Sequence, residues 1–468
     1  MTLLALAPLL SVVAGALTAL LLEAFMKDRE PELPAAAAVV SLFAAAFFIV
    51  RSWGLGIGAF GGRLTLDPLA LLLMAVFAVA AAFVVLMALK YAPNQGIALG
   101  PLCGLLLLAV AGLMIMVSSK DWLVVFLGLE VLSVASYALA GLKKSDRASA
   151  EAAAKYFLMG SFAGAFFVFG LALLYGTSGS LDLSAPADLP AAGAVGLGLI
   201  LAAFLFKIAI APFHMWAPDV YEGAPTPVTA FLTIAPKAAG LAVLFRAMAD
   251  LSGAAPPPAV FGPVLSVAAV LTMFAGNLAA LRQRSVKRML AYSSIAHSGY
   301  LLIAVVSGDG PSLVFYLIAY MFMNAGAFGV LAALSGKGLE HTALDDLAGL
   351  GRRNPWLAAS LAVFLLSLAG FPPTAGFLAK FYVFGGAIAE GHVLLGVAAV
   401  LASLISVAYY LKVIVVMYMQ DGTADIVIER ENPALHLVVF LCLFGTIQLG
   451  LWPGNLLIII RQVLSGPF

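Results

Sequence analysis

Polar positions along this chain fall in short clusters. Between them run apolar stretches of about twenty residues, the length at which a helix crosses a bilayer. Fourteen such stretches start near residues 2, 34, 66, 98, 121, 150, 190, 227, 256, 289, 311, 356, 393 and 434. The loops between them are short, the longest about twenty residues. The pattern predicts an all-α polytopic membrane protein of about 14 transmembrane helices, forming one integral-membrane domain over residues 1–468. The seventh and twelfth spans are irregular. They contain "FLFKIAIAPFHMW" (residues 204–216) and "GFPPTAGFLAKFYVF" (residues 370–384), each with a lysine close to proline. Proline removes a backbone donor and clashes with the preceding turn. Carbonyls freed at membrane depth persist only where protein or water meets them. Each break therefore predicts a polar pocket, with Lys207 in one and Lys380 in the other, each lysine placed to donate to the freed carbonyls of its own break.

Composition supports a membrane chain: 63% of residues are hydrophobic and 10% charged, and the mean hydropathy is +1.10. A net charge of +1 argues against nucleic acid as a partner. Cys103 and Cys442 lie within apolar runs, and no CxxC or Cys/His cluster is present, so no metal site is expected. No glycine-rich phosphate loop is readable either. The N-terminus, MTLLALAPLL, lacks a positive leader and is expected to remain as the first helix. Basic residues in short loops set orientation. With the N-terminus outside, the inside loops hold Lys27, Arg29, Lys90, Lys143, Lys144, Arg147, Arg282, Arg284, Lys287, Arg288, Lys337, Arg352, Arg353 and Arg430. The outside segments hold only Arg51, Arg63, Lys120, Arg246 and Arg461, so both termini are expected outside.

Five lysines remain within spans: Lys155, Lys207, Lys237, Lys380 and Lys412. Glu130 is the one acid expected deep in a span, and His297 is also intramembrane. An ionisable group at mid-bilayer costs roughly 2.5–3.5 kcal/mol on insertion scales. Lys155 and Lys412, near span ends, also suit snorkelling to the interface. The deeper groups repeat in their placement. Glu130, Lys207 and Lys237 are 77 and 30 residues apart; His297, Lys380 and Lys412 are 83 and 32 apart. Each triplet falls on the second, fourth and fifth helix of a five-helix block, 97–250 in the first case and 255–420 in the second. Five is odd, so the second block starts from the opposite side of the bilayer. That is the pattern of two inverted repeats, with helices 7 and 12 broken at corresponding positions.

Residues 207–240 ("KIAIAPFHMWAPDVYEGAPTPVTAFLTIAPKAAG"), 291–305 ("AYSSIAHSGYLLIAV") and 370–384 resemble the antiporter-like membrane subunits of respiratory complex I. The resemblance covers nearly the whole chain. It implies the same fold of fourteen helices with two inverted five-helix repeats, and a role in proton translocation coupled to quinone reduction elsewhere. Matched residue by residue, it implies that Glu130, Lys207, Lys237 and Lys380 form the proton relay. It extends to His214 of "FHMW" and to Lys155, while His297 lies within a family motif and Lys412 has only the repeat argument. It implies no cofactor in this chain, with FMN, iron–sulfur clusters and quinone in partner subunits. The implied partners are other membrane subunits, antiporter-like neighbours among them, with the peripheral redox subunits contacted indirectly. The implied setting is the lipid bilayer of a bacterial inner membrane.

An opposite charge within about 4–6 Å stabilises a charged group, so moving one partner switches the other. Lys207 and Lys237 are thus expected to load and release protons as Glu130 pairs or unpairs. The proton would pass through His297 toward Lys380. Two alternatives stay open: a subunit of a multisubunit Na⁺/H⁺ antiporter, and a non-transporting scaffold whose buried charges lock helices together.

Overall fold

The computed structural model describes residues 2–26, 30–183, 189–254, 261–422 and 432–464. The first part of the chain forms α1 (Thr2–Met26), α2 (Leu33–Ser52), α3 (Pro68–Asn94), α4 (Leu99–Ser118), α5 (Trp122–Ala140) and α6 (Arg147–Ser178). Next come α7 (Ala191–Lys207), α8 (Ala217–Gly223), α9 (Thr226–Ala254), α10 (Phe261–Leu281), α11 (Val286–Val306) and α12 (Gly310–Ala333). One turn, α13 (Leu350–Arg353), leads into α14 (Pro355–Ala369), α15 (Ala375–Ala389), α16 (Val393–Met419), α17 (Pro433–Leu451) and α18 (Gly454–Leu464). Twelve of these, α1–α6, α9–α12, α16 and α17, are long and apolar enough to cross a membrane. Each expected span start lies within about three residues of a helix start, except the one near 256, which lies outside the described residues.

The two irregular spans are pairs of short helices. Residues 208–216 separate α7 from α8, and residues 370–374 separate α14 from α15. Cis peptides at Ala211–Pro212 and Pro372–Pro373 lie in these breaks. Ala209 has φ 57°, a left-handed conformation that L-residues avoid and that surrounding structure must hold. Gly370, which ends α14, has φ 93°. A Cβ there would also lie 3.1 Å from Lys380 Cδ, so glycine serves both the turn and the close approach of the lysine.

Small residues let helices touch backbone to backbone. A Cβ on Gly112 of α4 would lie 2.6 Å from the Gly128 carbonyl of α5, and one on Gly170 of α6 would lie 2.6 Å from the Gly196 carbonyl of α7. The centre of the bundle is α9, α11 and α12, which are buried almost throughout, whereas α1, α6 and α16 expose broad apolar faces. Asp121 caps α5 by accepting from Leu123 N and Val124 N, and Ser285 caps α11 by accepting from Arg288 N. These caps fix the start of the helices that carry Glu130 and His297.

The loops gather on two faces. On one, an antiparallel hairpin of β1 (Ile57–Ala59) and β2 (Leu64–Leu66) bridges to Ser119, and Asp121 bridges to Asp182. On the other, Gly338 N donates to Asn94 O at 2.9 Å and Ser285 bridges to Ala343. Three cations assigned to loops by the sequence pattern are not in water. Arg246 lies in α9, buried against Asp67, the N-cap of α3. Lys287 is 1% exposed in the first turn of α11 and pairs with Glu340 at 2.7 Å. Lys143 pairs with the same carboxylate at 3.2 Å. A run of residues between spans looks solvated until the chain folds a counter-charge over it. Lys27, Arg29 and Arg430, also counted for orientation, lie outside the described residues.

Candidate functional site: a buried row of lysines

Lys207 ends α7, and its Nζ donates to Ser133 Oγ at 2.9 Å and to Tyr156 OH at 3.2 Å. The ammonium also lies 5.1 Å from the Tyr156 ring centre and 5.8 Å from that of Tyr137, within cation–π range. The break satisfies its own backbone with side chains. Trp216 Nε1 donates to the Phe206 carbonyl at 3.0 Å, and Ala211 N donates to Thr272 Oγ1 of α10 at 2.9 Å. Lys207 therefore does not serve the freed carbonyls of its own break, contrary to the sequence expectation. Nor does it form an ion pair with Glu130: among the described residues, none within 4.0 Å joins the two. Ser133, one turn after Glu130 on the same face of α5, takes the ammonium instead. Glu130 is half-buried and sits against Gly164, where a Cβ would lie 2.9 Å from Glu130 Oε1.

Lys237 lies mid-way along α9, directly after Pro236. The missing amide of Pro236 leaves the Leu232 carbonyl free, and Tyr221 OH donates to it at 3.4 Å. Tyr221 in turn packs edge-on against Trp216, 5.5 Å between ring centres, and its ring lies 5.9 Å from Lys237 Nζ. Lys237 Nζ donates to the Ser294 carbonyl at 2.6 Å and also contacts Ser294 Oγ. One turn further along α11, His297 Nδ1 contacts Tyr316 OH at 2.9 Å and Nε2 contacts Tyr410 OH at 3.4 Å.

Beyond His297 the row turns through α10 and α16. Tyr409 OH donates to Asn277 Oδ1 at 2.9 Å, and Asn277 Nδ2 donates to Tyr300 OH at 2.8 Å. The Tyr300 ring lies 5.1 Å from Lys380 Nζ. Lys380 donates to Ser403 Oγ at 2.9 Å and to Ala369 O at 3.0 Å, the last carbonyl before the second break. Here the expected pairing of a lysine with a freed carbonyl is met. Lys207, Lys237, His297 and Lys380 are all buried, and hydroxyls, amides and aromatic rings carry contact from one to the next.

The other candidates lie apart. Lys155 is 40% exposed and pairs with Glu151 at 2.7 Å and Asp219 at 2.6 Å; Asp219 also pairs with Arg288. His214 lies within the first break, half-buried, with its Nδ1 buried and unpartnered. Lys412 is exposed on α16, beside a small cavity that Gln283 and Arg284 also line. It does not join the row, because repeat spacing chooses a helix but not the face of that helix. Sequence reasoning missed Ser133, Tyr156, Tyr221, Ser294, Asn277, Tyr410 and Ser403. The one signal available was Pro236 beside Lys237, which frees a carbonyl for a buried donor.

Residues 119–406 match the transmembrane family of NADH:quinone oxidoreductase and Mrp antiporter proteins. NADH-quinone oxidoreductase subunit N 2 of Roseiflexus castenholzii is 40% identical over 479 residues, covering 98% of this chain and 95% of the relative. The chain belongs to the subunit N family of NADH-quinone oxidoreductase. Among solved structures, a chain of respiratory complex I from Thermus thermophilus with bound aureothin is 34% identical, with TM-score 0.84 over 96% of this chain and 98% of that one. A chain of the Mrp complex from Dietzia shares the fold, with TM-score 0.86 over 99% of this chain and 97% of that one, at 21% identity. Subunit N membership fixes the fold class as the antiporter-like, all-α polytopic membrane protein expected from the sequence.

Proposed function

We propose that this subunit N chain translocates protons along Glu130, Lys207, Lys237, His297 and Lys380, driven by quinone reduction in partner subunits. One observation carries the reading. Among the described residues Lys207, Lys237 and Lys380 have no carboxylate within 4.0 Å; their partners are hydroxyls, carbonyls and tyrosine rings. A structural ion pair needs both charges, and losing one strands the other. A lysine on neutral acceptors can give up its proton and leave no unpaired acid behind. His214, within the first break, and Lys155, paired with Glu151 and with Asp219 of α8, lie apart from this relay, and Lys412 has no part in it.

The wider reading follows from the family. Fourteen crossings arise if each broken pair, α7 with α8 and α14 with α15, counts as one span. Blocks 97–250 and 255–420 then form the inverted repeats, with a break in each. The partners are other membrane subunits, antiporter-like neighbours included, with FMN, iron–sulfur clusters and quinone carried by further subunits. The setting is a bacterial inner membrane with both termini outside. Purification in mild detergent tests the assignment: flavin and iron–sulfur subunits should accompany the chain. A functional antiporter complex without redox subunits would overturn it. Within the complex, Lys380→Arg should abolish pumping while assembly persists, because arginine keeps its proton at any working pH. Normal pumping would remove Lys380 from the relay.

A further inference from the structure

Glu340 lies in the loop after α12, on the face with the basic loops, and its side chain is only 12% exposed. Four segments supply it partners. Tyr91 OH of α3 contacts Oε1; Lys143, from the loop after α5, lies 3.2 Å from the same oxygen; and Lys287 of α11 lies 2.7 Å from Oε2. From the first turn of α9, Thr226 donates its Oγ1 at 3.0 Å and its backbone amide at 3.3 Å. A helix N-terminus favours an anion. Asp146 and Glu222 are the other acids close enough to act on Lys287. The loop is pinned over this cluster, with Gln95 Nε2 donating to the Gly336 carbonyl at 2.7 Å. Burial pushes the Glu340 carboxyl up to about 8, against the Thr226 amide, which favours the anion.

From this cluster a polar stripe descends α9. Thr226, Thr229, Thr233 and Lys237 follow at spacings of three, four and four, which places them on one helix face. All four are buried. At 1.5 Å per residue the stripe is about 16 Å long. Thr229 Oγ1 donates to the Tyr221 carbonyl at 2.8 Å, and Thr233 Oγ1 accepts from Asn324 Nδ2 of α12 at 2.6 Å. On the facing helix, Lys287 and Ser294 are seven residues apart, two turns on the same side, and Ser294 is the residue that holds Lys237. The two stripes begin at Glu340 and end at the same lysine. Water threading such a stripe finds a polar partner at each turn.

We propose that Glu340 is the proton port of Lys237. A proton from solution binds a Glu340 carboxylate oxygen, leaves it as water lined up on the threonine hydroxyls passes one proton on for each it takes, and arrives at a neutral Lys237 Nζ. Lys143 and Lys287 stabilise the carboxylate that remains. The port rests on the proton-translocation reading above, and the test separates the two.

The measurement is vesicle acidification per NADH oxidised by the whole complex, with assembled complex quantified. Glu340→Gln keeps an acceptor for Thr226 but cannot exchange a proton. It should lose acidification while complex abundance holds, Glu340→Asp should recover part of it, and the change in rate near pH 8 should vanish with glutamine. Lys237→Arg is the companion. Normal pumping in Glu340→Gln with pumping lost in Lys237→Arg overturns the port and leaves the relay standing. Normal pumping in both overturns the relay and the port with it. If Glu340→Gln fails to assemble, Thr233→Val decides, since it removes a hydroxyl midway without touching an ion pair. Loss of pumping there supports the port, and normal pumping overturns it.

Discussion

Lys207 reaches past Glu130 to Ser133, the hydroxyl one turn further along α5, at 2.9 Å. The acid and the amine of the first block are thus neighbours through a serine rather than a bonded pair. Ser133→Ala should leave the Lys207 ammonium with the Tyr156 hydroxyl as its hydrogen-bond partner. A lost partner for a buried polar group costs about 1–3 kcal/mol, so the subunit should still fold. Proton pumping per NADH should fall, more than NADH oxidation does. Unchanged pumping would show that the serine only fills space.

Gly164 decides where the Glu130 carboxylate rests. A Cβ at Gly164 would lie 2.9 Å from Glu130 Oε1, and the group that must move is the end of a flexible side chain. Gly164→Val should therefore displace the carboxylate rather than unfold α6. The expected result is normal assembly with impaired pumping, measured in membrane vesicles. Failure to assemble would place the role of Gly164 in helix packing instead.

Arg246 and Asp67 form a buried pair away from the lysine row, 5% and 8% exposed. Removing one partner of such a pair typically costs about 3–5 kcal/mol, whereas replacing both with apolar residues can be nearly neutral. Arg246→Met should lower the amount of assembled subunit, and Asp67→Leu added to it should restore much of the loss. A double variant no better than the single one would contradict a simple ion-pair role.

Much of this was legible in the sequence, for a physical reason. A lysine inside an apolar run is conspicuous because its insertion is costly, so Lys207, Lys237 and Lys380 stand out unaided. Their partners do not: Ser133, Ser294 and Ser403 look like any small residue in a membrane helix. Lys287 looked solvated because its burial depends on Glu340 and the loop that closes over α3, α9 and α11. Arg246 looked like a loop residue because α9 runs further than its apolar core. Lys412 was misplaced by spacing alone, since an offset of 175 residues from Lys237 carries no information about helix face.

The pH dependence of stability should carry the mark of Glu340. Burial raises its carboxyl from the ordinary 4.5 to about 8, so the folded state holds a proton that the unfolded chain releases. Its contribution is complete below pH 4.5 and declines as pH rises through about 8. Thermal stability of the purified complex should fall across that window in the wild type and fall less in Glu340→Gln. The same slope in both would show that Glu340 does not titrate there.

Lys207→Arg tests the proton relay most directly. Arginine preserves the charge and can still donate to Ser133 and Tyr156, but it stays protonated. The measurement is membrane-vesicle acidification per NADH oxidised, alongside the amount of assembled complex. Proton transfer through Lys207 predicts normal assembly, near-normal NADH oxidation by the peripheral subunits and a sharp loss of acidification. Normal acidification would take Lys207 out of the proton path and leave the buried lysines a purely structural role.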